Sequence, residues 1–121
     1  MQNKKIEKFE DLDVWQESMR MAVDIYKIFS ESKDFGFRDQ IQRSSVSIPS
    51  NISEGYDRNS NKEFIRFLNI ARGSCAELRT QLYLSLKIGF LPKNIALELI
   101  DRTRKLSAML FNLIKTRKEK F

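Results

Sequence analysis

Histidine is absent from the chain, and cysteine and tryptophan occur once each, as Cys75 and Trp15. Without an imidazole, a serine nucleophile loses its usual base, and the Glu-x-x-His ligand sets of di-iron bundles and most zinc sites are excluded. A lone cysteine rules out an internal disulfide and fits a reducing compartment, so a cytoplasmic location is expected. Prolines number 2 and glycines 4, too few for an all-β chain, which needs a punctuating residue roughly every eight to twelve positions. The glycines are isolated, so no phosphate-cradling loop exists and no cofactor is expected. No apolar run approaches the roughly 18 residues of a membrane span, and the charged opening MQNKKIEKFEDLD lacks the apolar stretch of a secretion signal. No membrane partner is expected.

What the chain has is charge, unevenly placed. Of its 22 Lys/Arg and 16 Asp/Glu, residues 1–101 hold 15 of each sign, and residues 102–121 hold the remaining 7 and 1. The whole excess of +6 therefore lies in the last stretch, on Arg102, Arg104, Lys105, Lys115, Arg117, Lys118 and Lys120 against Glu119. Such an end suits a polyanion. It equally suits a solvated helix terminus whose cations complement the dipole.

Apolar spacing gives the organisation of this single 121-residue domain. Leu12, Trp15, Met19, Ala22, Tyr26 and Phe29 step by three and four and predict a helix over 12–31, with Asp11 or Asp13 as its cap. Phe37, Ile41, Ser44, Ile48, Ile52 and Gly55 predict a second over 35–56, capped by Asp34. After the turn DRNSN, Phe64, Leu68, Ala71, Cys75, Leu78, Leu82, Ser85 and Gly89 alternate fours and threes through 61–89. Pro92 suits the start of a fourth helix over 92–117, carried by Ile95, Leu99, Leu106, Leu110 and Leu113. Short connections between long helices predict an all-α, antiparallel up-down-up-down four-helix bundle. In it Trp15 and Cys75 read as core.

Second apolar rows run beside two of these seams: Val14, Met21, Ile25 and Ile28 on the first helix, Leu97, Ile100, Ala108 and Phe111 on the fourth. A small monomer normally leaves such a row polar, so the pattern favours self-association. A wide core-facing stripe leaves the same trace.

The stretch SIPSNISEGYDR, Ser47 to Arg58, sets a proline inside a helical pattern. Pro49 cannot donate to the carbonyl of Ser45, at a cost of about 3 kcal/mol. Apolar spacing continues across it, and the flanking serine hydroxyls can bond carbonyls one turn back. A continuous, kinked helix is the expectation. Arg43, Ser47, Asn51 and Glu54 share one side of it, and Ser74, Glu77 and Gln81 share one side of the third helix. Antiparallel pairing about residue 59 sets Arg43 level with Ser74 and Glu77. An Arg43–Glu77 ion pair, with Ser74 and Gln81 as partners, is expected to lock the register.

These positions also carry a likeness. FEDLDVWQESMRMAVDIY at 9–26, QIQRSSVSIPSNISEGYDR at 40–58 and FLNIARGSCAELRTQLYLSLKIGFL at 67–91 resemble the bacterial four-helix-bundle proteins known as 23S rRNA intervening sequence proteins. The motif residues are Arg43, Asn51, Glu54, Gly55, Arg58, Gly73, Ser74, Glu77 and Gln81. The resemblance implies an up-down bundle that assembles into ring-like homopentamers, with no defining enzymatic activity. It also implies kinship with the accessory protein of diversity-generating retroelements, a basic pentameric barrel that contacts a reverse transcriptase and nucleic acid. This chain departs from that branch in the charge balance of residues 1–101.

The expected role is thus a non-catalytic, self-assembling protein that binds RNA, other nucleic acid or a ribonucleoprotein. Its candidate contacts are Arg58 in the turn before the third helix, Lys62, Arg66, Arg72 and Arg79 along that helix, and Arg104, Lys105, Lys115, Arg117 and Lys118 on the fourth. Few exposed aromatics are expected on the helix surfaces to stack bases. The alternative is an adaptor for a protein partner, with no nucleic-acid role.

Overall fold

The computed structural model describes residues 5–121; residues 1–4 of the charged opening segment lie outside it. Four helices make an all-α bundle: α1 (Asp13–Phe29), α2 (Phe35–Asp57), α3 (Asn61–Ile88) and α4 (Lys93–Lys120), preceded by a 3-10 turn at Phe9–Asp11. No described helix is long and apolar enough to cross a membrane.

Local chemistry explains most of the boundaries. The Asp34 carboxylate accepts the Phe37 amide at 3.1 Å and opens α2. The Ser60 hydroxyl accepts the Glu63 amide at 3.2 Å and opens α3. Gly89 ends α3 in the left-handed region at φ 86, where only glycine avoids a Cβ penalty, and its amide returns to the Ser85 carbonyl at 3.0 Å. Pro92 stands at the N-cap of α4, one position before the first turn expected of it. The expected cap of α1 is corrected. Leu12 holds the N-cap, and Asp11 turns back to accept the amides of Glu7 and Lys8 at 3.0 and 3.2 Å.

α2 is continuous through Pro49, which is itself buried. Hydroxyls bond carbonyls one turn back as expected: Ser44 to Ile41 at 3.1 Å, Ser45 to Gln42 at 2.7 Å and Ser53 to Ser50 at 3.0 Å. For the buried Ser44 and Ser45 these bonds satisfy hydroxyls that the core cannot leave bare.

The seams of α2 and α3 face the core, from Ile41, Ile48 and Ile52 to Leu68, Cys75, Leu78 and Leu82. On α1 the core face lies between the two apolar rows. Val14, Met21 and Ile25 of the second row are buried with Ala22 and Phe29 of the first, while Met19, Tyr26 and Ile28 are exposed. Ser18 sits at the centre of that face, its hydroxyl donating to the Trp15 carbonyl at 2.8 Å. Trp15 is half-buried against Phe9 at the core's edge, not inside it. On α4, Ile100 of the second row joins the core with Ala96, Thr103 and Ile114, and Leu97 and Phe111 point to solvent.

The register contacts differ from expectation in one pair. Arg43 and Glu77 are both exposed, and no ion pair joins them; between side chains in water such a pair contributes little. The contact lies one step inward. Ser47 and Ser74 share a hydrogen bond of 2.7 Å, Ser44 donates to Gln81 Oε1 at 2.6 Å, and Asn51 donates to the Ser47 carbonyl at 2.8 Å. Glu54 pairs instead with Arg58, one turn along α2.

The Ser44–Gln81 bond is buried, which makes its two deletions unequal. Ser44→Ala strands the Gln81 oxygen and is expected to cost about 1–3 kcal/mol. Gln81→Leu leaves the Ser44 hydroxyl its Ile41 carbonyl and is expected to cost less. Urea unfolding of both variants checks the order.

Candidate nucleic-acid interface

The candidate cations separate into groups with different surroundings. Around the α2–α3 turn, Arg58 reaches Glu54 at 3.2 Å and Glu63 at 3.7 Å. Arg66 grips Glu63 through two nitrogens, at 2.9 and 3.2 Å. That hydrogen bonding holds the Glu63 carboxyl below the usual carboxylate range and raises the guanidinium of Arg66. Both arginines also lie over the Phe67 ring, at 5.0 and 4.6 Å. Lys62 is exposed beside them. Acidic partners match most of the charge here.

Arg117 serves the fold. Its Nε donates to Asn61 Oδ1 at 2.8 Å while Asn61 Nδ2 donates back to the Arg117 carbonyl at 3.0 Å. Its guanidinium lies over Phe64 and Phe121, and burial lowers its pKa from the ordinary arginine value. The last turns of α4 are thereby clasped to the start of α3. Lys105 pairs with Asp101 at 3.2 Å, one turn from the Arg102 that reaches Asp24 of α1 at 2.8 Å.

The remaining cations come together along the α3–α4 seam. Arg72 and Arg79 stand seven residues apart on α3, on one face by helix geometry. Two contacts cross from α3 to α4: Arg72 lies over the Phe111 ring at 5.2 Å, and Arg104 donates to the Tyr83 hydroxyl. Lys115 and Lys118 follow Phe111 by one and two turns, and with Arg72, Asn69 and Phe111 they line a groove of about 350 Å³ in which Glu119 is the sole carboxylate. Between the two arginines, Cys75 is buried, its Sγ donating to the Thr103 carbonyl at 3.2 Å. Burial pushes its thiol up, against the opposing pull of Arg79 and Arg72.

One feature of this seam had no sequence signal. Among the described residues, the buried side-chain polar atoms without a hydrogen-bond partner are Arg72 Nε and Arg79 Nε. An orphaned buried donor costs about 1–3 kcal/mol, and a native fold retains few of them. Both lie where the basic residues converge.

Aromatic exposure also departs from expectation. Tyr26, Phe35, Tyr83, Phe90, Phe111 and Phe121 are all exposed. Of these, Phe111 and Tyr83 belong to the basic seam. On the other side of the bundle, an apolar groove of about 410 Å³ runs between α1 and α2, lined by Trp15, Met19, Val23, Tyr26, Val46 and Pro49 among others. No group of three or more His, Cys, Asp or Glu able to hold a metal ion occurs among the described residues.

Residues 10–112, almost all of the bundle, match the family described as 23S rRNA-intervening sequence protein. The chain belongs to that family. Its fold is similar to a crystal structure of a protein of unknown function from the S23 ribosomal protein family of Bacteroides thetaiotaomicron VPI-5482. The TM-score is 0.79 at 31% identity, over 85% of this chain and 99% of that one. No match was found among curated proteins. Within this intervening sequence protein the motif residues Ser74 and Gln81 sit in the α2–α3 contact, which gives those two a structural role.

Proposed function

We propose that this member of the family is a non-catalytic, cytoplasmic protein that binds RNA or a ribonucleoprotein through the α3–α4 seam, as an up-down-up-down bundle assembled into a ring. The observation that carries the reading is the groove in which Arg72, Lys115 and Lys118 meet around the exposed Phe111 ring against one carboxylate, Glu119, with Arg79 seven residues along α3 from Arg72 and Arg104 beside Tyr83. A phosphate backbone is the ligand that such a row matches, because each cation it meets releases counterions. The apolar α1–α2 groove supports self-association, and the family resemblance favours five copies. Repetition around a ring multiplies a modest patch.

Binding to a fluorescent RNA over a salt series tests this. If all five seam cations engage single-stranded RNA, log K falls by roughly 3.5 per log unit of salt, at about 0.7 for each phosphate. Arg79→Ala or Lys115→Ala is expected to lower the slope by about 0.7 each. Lys105→Ala, paired with Asp101 away from the seam, is expected to leave it unchanged. A flat salt response sinks the reading. Light scattering should give about five times the 14.3 kDa of one chain. A monomer would instead assign the apolar groove to a different protein, as the adaptor reading holds.

A further inference from the structure

We propose that the groove at the Phe111 end of the α3–α4 seam takes a single-stranded nucleic acid, with one base stacked on the Phe111 ring; this rests on the polyanion reading above.

Phe111 is 51% exposed in a groove that it shares with Arg72, Lys115 and Lys118, with Glu119 as the one carboxylate, so the ring is open to a ligand. The Arg72 guanidinium lies 5.2 Å from the ring centroid and fixes the ring from one side. A flat π-system laid on the ring would extend the stack that Arg72 begins. Lys115 and Lys118 lie on the same face of α4, about 6 and 10 Å along its axis from Phe111. That spacing sets cations where the phosphates flanking a stacked base would fall. Asn69 on α3 borders the same groove, and its Nδ2 is held by the Ile65 carbonyl at 3.1 Å.

A duplex satisfies only part of this arrangement. Its phosphates can meet the lysines, but its base faces are already stacked on one another and cannot cover an isolated ring on a helix surface. An unpaired base can, whatever its identity, because every base has a π-face. The groove therefore discriminates by strandedness more than by sequence. RNA and DNA share this chemistry.

The test uses the full chain with three probes at one fixed salt concentration: a short oligouridine, the matching oligothymidine and a duplex of equal length. Both single strands are expected to bind more tightly than the duplex. Phe111→Leu, which keeps apolar bulk but removes the π-face, is expected to weaken the single strands by about 5- to 150-fold and leave the duplex unchanged. Phe111→Tyr should retain wild-type affinity. Exposure of the ring makes these variants compatible with folding, which circular dichroism checks. If the duplex binds as well as the single strands and Phe111→Leu is neutral, while Lys115→Ala still weakens binding, stacking is refuted and the polyanion reading stands. If none of the probes binds at low salt, both fall together.

Discussion

Met21→Asp is expected to abolish the cooperative fold, and Met19→Asp, two residues away, is expected to leave it nearly intact. Met21 is 1% exposed and Met19 38%. An aspartate at 21 is an unpaired charge inside the apolar core that Met21 shares with Ile25, with a cost above about 4 kcal/mol against a total stability of about 5–15 kcal/mol. An aspartate at 19 stays in water, and its effect on the isolated bundle falls within about 0.5 kcal/mol. In the α1–α2 groove proposed for self-association, however, the new charge would oppose burial against a second copy. Met19→Asp should therefore lower the mass seen by light scattering while thermal unfolding stays cooperative. Equal destabilisation by both substitutions would contradict the face assigned to α1.

Gly55→Ala is the second large effect, and the smallest possible change produces it. A Cβ at 55 would lie 2.4 Å from Phe67 Cβ and 3.1 Å from its Cγ. The obstacle is the root of a side chain, so no rotamer of Phe67 clears it, and α2 and α3 must move apart along a buried seam. Overpacking of this kind costs about 1–3 kcal/mol, or roughly 4–15 °C in Tm for a domain of this size. Phe67→Ala keeps the Cβ and is not expected to rescue Gly55→Ala, whereas relief by that second change would show the ring to be the obstacle. Far-UV circular dichroism during heating reads both outcomes.

The sequence made α2 and α3 legible because one apolar row stands clear of polar neighbours there, from Ile41 to Ile52 and from Phe64 to Leu82. It misled on α1, where two rows are apolar and Ser18 between them is polar. Periodicity cannot choose between such rows. The charged residues Arg20, Asp24 and Lys27 do point the way, since the core must lie opposite them, and Ser18 is tolerated there because its hydroxyl bonds within its own helix. The register was legible in kind but not in detail. Helix geometry set Arg43 level with Ser74, yet only the short hydroxyls and Gln81 reach across, because long charged side chains gain more from water than from each other at a surface. The basic seam was legible only as a set of cations. Glu63 takes Arg66 one turn along its own helix, a pairing that spacing alone allows, whereas the Asn61–Arg117 clasp and the arginine atoms left without partners depend on contacts between segments far apart in the chain.

The way α1 is attached has a consequence for how the molecule comes apart. α3 is held on both flanks by α2 and α4, but α1 leans mainly on α2 and meets α4 lightly, with Arg102 and Asp24 forming an ion pair at that border. The first helix is therefore expected to swing out at lower cost than α3, which is gripped from two sides. A helix hinged in this way, beside an apolar furrow, is also the piece that two crowded copies could trade, each lending its own to the other.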